Sequence, residues 1–519
     1  MKKILYLSVA ISSLLFVSCT NNNMANTDST TQDTVVSHRP LYHFTTDSNW
    51  INDPNGLVYA FGKFHVFAQY NPFGEKWGHM SWAHAVSTDL FAWQQEPLAI
   101  PEIKNNDSIV TMIFSGSAVV DSFNTSGFGK DGQIPMVAIY TSHVDKNGKG
   151  LAQHESLAYS VDEGKTWQQY ANNPVLDIHL KDFRDPKVFW YAPEHKWVMA
   201  VVKPLEYKVQ FYASADLKKW NLLSEFGPMG NIDKIWECPD LFQVAIEGST
   251  EKKWVLSMST GHPQKGWLSV QYFIGNFDGK KFTADQLNYP LYIDYGKDFY
   301  AGVTFNNIPA ADGRSIMIGW ANCWQYANDI PTKVFRGAYT VPRELALRNV
   351  NGQLQIVQQP AKELNNYTQS IFNASAIELD NAVKLLDSAN GTALDISFTL
   401  QTDASAGIHV LKSGTEQTTI AYDNTTKTFS IDRRQSGDTS FSNVFASVET
   451  LQLNPATNKI KVRILVDKSV LEIFVNDGEY VFTEQVFPKH NEGNIELFAE
   501  KGKAAFSDIS VKRVNKTIH

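Results

Sequence analysis

Several features that define large protein classes are scarce or missing in this sequence. Only three of the 519 residues are cysteine, which excludes a disulfide-rich scaffold. Lysine and arginine total 46 against 54 aspartate and glutamate residues, so no basic surplus exists to neutralise nucleic-acid phosphates. The motifs HExxH, CxxC and GxxxxGK[ST] are absent, which leaves zinc-protease, zinc-finger and P-loop chemistry without support.

No hydrophobic run is long enough for a membrane-spanning helix. The longest, residues 4–17, follows two lysines and has the length of a signal peptide. It ends at Cys19 in a pattern that resembles a bacterial lipoprotein signal, in which this cysteine becomes the acylated first residue. We therefore expect a signal peptide over 1–19, a flexible tether over 20–37 and export of the protein, with a lipid anchor as its sole attachment to a membrane. Simple secretion, with Cys19 removed, is the alternative.

The body of the chain is rich in aromatic residues, at 12%, and in short β-type segments broken by turn residues. We find no convincing amphipathic helix of ten or more residues, so the pattern is typical of an all-β protein. Acidic or small residues open five similar units, near positions 53, 115, 185, 237 and 298. A repeat of this size predicts a β-propeller, here with five blades over residues 38–349.

A second marker recurs later in the units. It is a Ser-x-Asp-type turn that ends on an aromatic residue, and it occurs at 87–93, 160–167 and 214–220. The character of the sequence changes after Glu344. We expect a linker over 350–367 and a β-sandwich over 368–519, because short alternating segments there are joined by hairpin turns such as that at 476–478.

The first strand of every propeller blade lines the central channel. Asp53, Asp185 and Glu237 open three of the predicted blades, so we expect their side chains to converge on one axial pocket. Carboxylates that lie close together cannot all stay ionised, so one can donate a proton while another attacks or stabilises positive charge. That division of roles suits glycoside hydrolysis. Metal binding is a competing use, and capping of three separate turns is the simplest one.

The motifs around these acids resemble those of glycoside hydrolase family 32, the fructan hydrolases and invertases. The resemblance extends from His38 over nearly the whole chain, and the ordered set of motifs is very specific. The segments that carry it are 50–56, 69–72, 114–117, 183–186, 236–239, 295–301, 319–320, 336–338 and 470–474.

The resemblance implies a five-bladed propeller followed by a β-sandwich, and a retaining mechanism. It makes Asp53 the nucleophile, Glu237 the acid/base and Asp185 the residue that holds sugar hydroxyls and stabilises the transition state. We therefore predict that the carboxyl groups of Asp53 and Glu237 are ~5–5.5 Å apart, as in retaining enzymes. We expect no cofactor and no metal ion.

The resemblance also suggests the residues that bind the sugar. Asn52 and Gln69 have amides that both donate to and accept from hydroxyls. We expect Arg184 to keep Asp185 ionised. Aromatic and small side chains should wall the fructose site, namely Trp77, Trp320, Phe114 and Ser115.

The leading hypothesis is an exo-acting β-fructosidase that works on levan, inulin, fructo-oligosaccharides or sucrose. An endo-acting levanase on the same scaffold is the first alternative. A sialidase-like propeller is the second, because residues 160–167 match the Asp-box of those enzymes. Five-bladed arabinanase-like enzymes, which invert, and a fructan-binding lipoprotein without activity are the others.

Overall fold

The computed structural model describes residues 37–106, 108–264, 266–286, 288–455 and 458–517. The predicted signal peptide with Cys19, and the tether apart from Ser37, lie outside these residues. Within the described part of the chain, helix occurs only as three short 3-10 segments, Ala192–Glu194, Pro204–Glu206 and Lys362–Tyr367. None of them is long and apolar enough to cross a membrane. The predicted all-β architecture is confirmed.

Five sheets build the first part of the chain. Their strands are β1 (Asn49–Ala60), β2 (Lys63–Asn71), β3 (Ser81–Ser87), β4 (Trp93–Ile100), β5 (Ile103–Lys104), β6 (Ile109–Val120), β7 (Met136–Lys146), β8 (Lys149–Ser160), β9 (Gln168–Gln169), β10 (Arg184–Tyr191), β11 (Lys196–Lys203), β12 (Lys208–Ser214), β13 (Asn221–Phe226), β14 (Glu237–Ala245), β15 (Lys252–Gly261), β16 (Leu268–Phe277), β17 (Phe282–Ala284), β18 (Leu291–Tyr292), β19 (Tyr300–Thr304), β20 (Ser315–Trp320), β21 (Phe335–Arg336), β22 (Arg343–Val350) and β23 (Gln353–Pro360).

These sheets form a closed ring, as a five-bladed propeller requires. Their innermost strands are β1, β6, β10, β14 and β19, and each contacts the next, with β19 returning to β1. Antiparallel neighbours continue each sheet outward, for example β10-β11-β12-β13. The short strand β21 pairs in parallel with β1 and so joins the end of the ring to its start. This arrangement leaves one axial channel between the innermost strands.

The second marker of the repeat lies where a third strand turns into a fourth. In three blades a serine hydroxyl donates to an aspartate two residues later, at Ser87, Ser160 and Ser214. The aspartate then accepts backbone N–H groups of its own turn, as Asp216 does from Lys218 and Lys219. The sequence that matches the sialidase Asp-box is therefore one of several structural turns in this ring.

The remaining strands form two six-stranded antiparallel sheets. They are β24 (Thr368–Asp380), β25 (Val383–Asn390), β26 (Ala393–Thr402), β27 (Ser405–Ser413), β28 (Glu416–Asp423), β29 (Thr428–Asp432), β30 (Val448–Gln452), β31 (Lys459–Asp467), β32 (Val470–Val475), β33 (Tyr480–Gln485), β34 (Asn494–Glu500) and β35 (Lys503–Val514). The sheet orders are β24-β35-β26-β31-β32-β33 and β25-β34-β27-β28-β29-β30, and one apolar core contains residues of both. The expected β-sandwich is thus present.

One expectation about the connection between the two parts was wrong. The segment 350–367 was expected to be a linker, but Gln353–Pro360 pairs with β22 along its whole length as the outer strand of the fifth sheet. None of its four glutamines is exposed, and the buried amide of Gln358 donates to the carbonyl of Ile293. A 3-10 helix, Lys362–Tyr367, then leads directly into β24.

The two parts share a buried interface. One apolar cluster contains Trp50 and Trp320 of the propeller together with Leu465 and Phe474 of the sandwich. Arg343, which is fully buried, donates to Glu472 and Asp294. The interface therefore combines apolar packing with buried ion pairs.

Candidate active site

Each innermost strand of the propeller carries a β-bulge near its start. The pairing with the next strand shifts between Ile51 and Pro54, Ile113 and Gly116, Arg184 and Lys187, Glu237 and Asp240, and Tyr300 and Val303. A bulge frees two residues from regular pairing and redirects their side chains. Five bulges around one axis thus collect ten such residues at one mouth of the channel.

The three predicted acids meet at this mouth, but they are not equivalent. Glu237 is the last paired residue before its bulge, Asp185 is the first residue inside its own, and Asp53 is the second. The acidic residues are therefore offset by one position from blade to blade. This offset gives the three carboxyl groups different neighbours.

Asp53 lies among short polar side chains. The hydroxyl of Ser115 donates to its Oδ2 at 2.6 Å, and Nδ2 of Asn52 donates to its Oδ1 at 3.0 Å. The indole of Trp50 holds Asn52 by donating to its Oδ1 at 2.7 Å. Burial raises the pKa of Asp53 and the charge of Glu237 adds to this, while the bonds from Ser115 and Asn52 oppose it.

Asp185 adopts a left-handed backbone conformation, with φ at 66°. Its Oδ2 accepts the backbone N–H of Cys238 at 2.9 Å, and its own N–H donates to Thr141. Burial raises the pKa of Asp185 to about 7, although Arg184 lowers it. Arg184 acts in the predicted direction, but at 3.9 Å between its Nε and Oδ2 of Asp185 it offsets the effect of burial only in part.

Arg184 is bound chiefly to Glu237. Its Nε and Nη2 both donate to Oε1 of Glu237, at 3.3 and 3.0 Å, while the Tyr300 hydroxyl donates to Oε2 at 2.6 Å. Burial opposes the charge of Arg184, but the carboxylates of Glu237 and Asp185 outweigh it and raise the pKa of the guanidinium. Both oxygens of Glu237 are therefore oriented by fixed donors.

Cys238 links the three acids. It follows Glu237 in the chain, its N–H binds Asp185, and its thiol lies 3.6 Å from Oδ2 of Asp53. Burial raises the pKa of this thiol well above its ordinary value, and the surrounding carboxylates add to the effect. The thiol is therefore held neutral, as expected for a packing residue. Cys238 and Cys323 are both buried free cysteines.

The predicted sugar-binding residues divide into two groups. Asn52, Gln69, Ser115 and Arg184 are buried beside the carboxylates, with Gln69 fixed by a bond from its Nε2 to the carbonyl of Ile113. Trp77 is 41% exposed and belongs to the mouth of the channel, since it follows the end of β2, which pairs with the start of β1.

Two aromatic residues on this list differ in their surroundings. Phe114 stacks on His143 at 4.3 Å between ring centroids and lies 6.1 Å from Trp77. Trp320, by contrast, is fully buried and packs against Trp50 and Trp324. The prediction that Trp320 walls the sugar site is therefore wrong, because other indoles cover it and it supports the wall from behind.

Below the carboxylates the axial channel narrows to a cavity of about 20 Å³, lined by all five innermost strands, which is too small for a sugar. Lys187 and Asp240, the first paired residues after their bulges, form a buried ion pair at 3.1 Å, and Thr304 binds both. Further along the axis, Nδ2 of Asn306 donates to the carbonyls of Ala118 and Val188. The carboxylates thus lie at the bottom of a blind pocket.

Sequence reasoning missed two members of the site. The sequence did not assign Tyr300 or Cys238 to the site, yet they contact Glu237, Asp185 and Asp53 directly. The available signal was that both residues lie in segments that carry the family resemblance, 236–239 and 295–301. Among the described residues, no cluster of three or more histidine, cysteine or acidic side chains is arranged to hold a metal ion. The arrangement suits acid/base and nucleophilic chemistry by carboxyl groups.

Models of protein families match both parts of the chain. Residues 43–360 match the glycosyl hydrolases family 32 N-terminal domain, and residues 362–513 match the glycosyl hydrolases family 32 C terminal. The first match includes β23, in agreement with the pairing of that strand. Together these matches cover nearly all of the described residues.

Characterised relatives resemble the chain over most of its length. The levanase of Bacillus subtilis is 41% identical over 92% of this chain and 71% of its own length. The extracellular exo-inulinase of Aspergillus ficuum is 38% identical over 92% of this chain and 95% of its own. The invertase of Schizosaccharomyces pombe is 34% identical over 92% and 85%.

Solved structures agree with these matches. The exo-inulinase of Aspergillus awamori superimposes with a TM-score of 0.85 and 35% identity, covering 93% of this chain and 99% of that one. The β-fructofuranosidase of Schwanniomyces occidentalis, in complex with fructosyl-erythritol, gives 0.81 and 31%, covering 92% and 98%. The chain belongs to glycosyl hydrolase family 32 and is a glycoside hydrolase of the fructosidase type.

Proposed function

We propose that this enzyme is an exo-acting β-fructosidase that releases fructose from β-fructans and sucrose with retention of configuration. The observation that carries the proposal is the convergence of Asp53, Asp185 and Glu237 on Cys238 at the bottom of a blind pocket. The names of the relatives support the substrate class, since they include a levanase, exo-inulinases and an invertase.

In the proposed first step, Glu237 protonates the glycosidic oxygen while Asp53 attacks C2 of the terminal fructofuranosyl unit. Donors from Ser115 and Asn52 hold the Asp53 carboxylate in one orientation for this attack. Tyr300 and Arg184 fix the carboxyl group of Glu237. In the second step, Glu237 removes a proton from water, which attacks C2 and frees fructose from Asp53.

In this proposal Asp185 binds the fructose ring and does not take part in breaking the glycosidic bond. Its carboxyl group would accept hydrogen bonds from fructose hydroxyls and stabilise the positive charge that develops on the ring. The left-handed conformation of Asp185 suits this role, because strained backbone is retained where a side chain must be aimed. Asn52, Gln69, Phe114, Ser115 and Trp77 would complete the pocket.

Parallel incubation with levan, inulin and sucrose tests the substrate and the mode of action. We expect free fructose as the first and dominant product from each, with no ladder of oligosaccharides. A ladder would identify the endo-acting alternative, and the absence of any product would refute the proposal. NMR identifies the anomeric configuration of the first-formed product, and an inverted anomer would point to the inverting alternative.

Replacement of the proposed nucleophile tests the mechanism. We expect Asp53→Asn to lower kcat by at least about a thousandfold, because no covalent intermediate can form. The matched control is Asp47→Asn, which changes an exposed aspartate six residues earlier. Unchanged fructose release by Asp53→Asn would contradict the assignment of the nucleophile.

We further propose export of the protein and a lipid anchor at Cys19. Export agrees with the description of the Aspergillus relatives as extracellular. Expression of the full chain and of Cys19→Ala in a bacterial host, followed by fractionation, tests the anchor. We expect the unaltered protein in the membrane fraction and the variant in the soluble exported fraction, and equal partition of the two would contradict the anchor.

A further inference from the structure

A second cleft lies on the face of the propeller opposite the carboxylates. It has a volume of about 260 Å³ and lies near the far ends of β6, β10 and β19, where it is lined by Val119, Val120, Phe189, Trp190, Trp197, Asn306 and Asn307. Trp190 follows Asp185 by five residues on β10, which places it roughly 16 Å further along the strand. The Asn306 side chain, which closes the axis, separates this cleft from the blind pocket.

The rings of Phe189, Trp190 and Trp197 line the cleft, and the ring of Phe123 lies beside it, against Trp190. Phe123 is 68% exposed, the highest value among the large apolar side chains of the described residues, and its ring lies 5.4 Å from that of Trp190. Trp190 in turn packs edge-on against Trp197 at 4.9 Å. Phe123 and Trp190 thus form a platform of rings, and the buried indole of Trp197 packs behind it.

The loop that carries Phe123 is fixed, so the exposure of this ring is a built feature. Asp121 accepts the N–H groups of Thr125 and Ser126, and the indole of Trp197 donates to the Thr125 hydroxyl at 2.8 Å. Asn124 bonds Gly129 through both atoms of its amide. Phe123 extends the apolar surface of the cleft through its contact with Trp190, and apolar surface rimmed by polar groups is typical of ligand-binding grooves.

The polar groups of the cleft are neutral. None of its described lining residues is charged, and its hydrogen-bonding side chains are the amides of Asn306 and Asn307 and the indoles. Asn307 is exposed and donates through Nδ2 to the carbonyl of Tyr59. Aromatic faces beside amides match a ligand with apolar ring faces and many hydroxyls, and the lack of charge disfavours phosphates and acidic peptides.

We propose that this cleft, with Phe123 and Trp190 as its platform, is a second binding site for a neutral polysaccharide, namely a segment of the fructan substrate. The inference rests on the proposed function for the identity of the sugar. A polymer held at the far face keeps its free ends near the pocket, which raises their effective concentration. Sucrose is too short to touch both faces, so its hydrolysis is independent of the cleft.

The test compares Phe123→Ala with the unaltered enzyme on levan, inulin and sucrose. We expect KM for at least one polymer to rise about three- to tenfold, as the loss of an aromatic contact predicts, with kcat unchanged. We expect kcat and KM for sucrose to stay unchanged. The matched control is Leu222→Ala, which removes another exposed apolar side chain, on the outer strand β13 of the same propeller.

Binding is measured directly with Asp53→Asn protein in native gels that contain levan, inulin or dextran. We expect a fructan to retard this protein, and the added Phe123→Ala change to weaken the retardation about threefold or more. Equal retardation with and without Phe123, or retardation by dextran alone, would overturn the site. A matching fall in sucrose hydrolysis would overturn it too. Failure of the unaltered enzyme on all three substrates would refute the proposed function instead.

Discussion

At the scale of single residues, the site depends on two unusual backbone conformations. Asp185 and Cys238 both have positive φ values, 66° and 47°, which non-glycine residues adopt rarely. These conformations let the N–H of Cys238 bind Asp185 while its thiol reaches Asp53. Two carboxyl groups whose pKa values are raised by burial are thereby held close together, which costs stability at neutral pH.

The raised pKa of Asp185 predicts the effect of pH on stability. The pKa of Asp185 is about 7 in the folded state and near 3.8 in the unfolded state. Its contribution to stability is therefore fully present at pH values below 3.8 and is lost as the pH rises through 7. We expect Asp185→Asn to increase the unfolding free energy at pH 8 by at most ~4 kcal/mol and therefore to raise the Tm. Scanning calorimetry from pH 4 to 8 measures the difference, which should vanish near pH 4.

Asp216→Asn provides a control of the opposite sign. Burial raises the pKa of Asp216, but the N–H groups of Lys218 and Lys219 outweigh it and lower the pKa overall. This carboxylate therefore stabilises the fold above its unfolded pKa, and the stabilisation is lost as pH falls. We expect the control variant to be less stable than the unaltered protein at pH 8. A lower Tm for Asp185→Asn at pH 8 would contradict our account of the site.

The residues themselves were largely predictable, but their partners were not. Spacing and family resemblance identified Asp53, Asp185 and Glu237, since motifs preserve residue order. The sequence could not show that Arg184 binds Glu237, because the contact depends on both residues being the last paired position before a bulge in neighbouring blades. Nor could it show the burial of Trp320, which depends on two indoles from other segments.

At the scale of secondary structure, the bulges are the elements on which the site is built. Each one adds a residue to an innermost strand and so directs two side chains toward the axis. In β6 the bulge brings the Ser115 hydroxyl to Asp53 and lets the N–H of Gly116 donate to Asn55 at 3.2 Å. The strand packs closely on β7 at this point, which leaves no room for a side chain at Gly116.

Gly116→Ala should therefore disturb both stability and catalysis. A Cβ at this position would overlap the carbonyl oxygen of Ile139 and lie 2.7 Å from Cα of Tyr140, so backbone must move. We expect a loss of ~1–3 kcal/mol in unfolding free energy. Displacement of Ser115 should also lower kcat/KM on sucrose by about tenfold or more. Thermal unfolding and initial rates measure the two effects.

Gly74→Ala is the matched control for this substitution. A Cβ at Gly74 comes no closer than 3.9 Å to Nδ2 of Asn71, so we expect both quantities to change little. Equal behaviour of the two variants would show that close packing at the bulge of β6 is unimportant. The bulges could not be predicted, because the motifs record which residues occur but not the register of the strands that pair with them.

At the scale of the whole molecule, buried charges join the sandwich to the propeller. Arg343 on β22 binds Glu472 on β32 and Asp294, and His43 lies between Glu472 and Asp467. Hydrogen bonds to these two acids outweigh burial and raise the pKa of His43 to about 9. The interface therefore depends on a network in which every buried charge has a partner.

Removal of Arg343 should be costly. Arg343→Met leaves Asp294 buried without its cation and Glu472 with His43 alone, and we expect a loss of ~3–5 kcal/mol in unfolding free energy. Arg348→Met is the control, because Arg348 pairs with Glu247 at the surface, where such a pair contributes at most ~1 kcal/mol. The midpoint of urea unfolding at pH 7 compares them, and equal shifts would contradict the role assigned to the network.

The order of the propeller and the sandwich could be predicted from the sequence, whereas the contacts between them could not. Alternation of apolar residues marks strands of either part, but the partners of Arg343 lie 129 and 49 residues away in the chain. The assignment of β23 failed for a related reason. A glutamine-rich segment has the composition of a linker, and the sequence does not show that β22 needs this segment as its pairing strand.

The narrowing of the axial channel beneath the carboxylates has a consequence for turnover. Lys187, Asp240 and Thr304 narrow the axis, so a monosaccharide released by the proposed exo action cannot leave through the far side of the propeller. The monosaccharide has to leave through the entrance by which the polymer arrived. The shortened polymer therefore has to withdraw before the next cleavage. Under the proposed exo action, successive cleavages are separate binding events, and an intermediate chain should exchange freely between enzyme molecules.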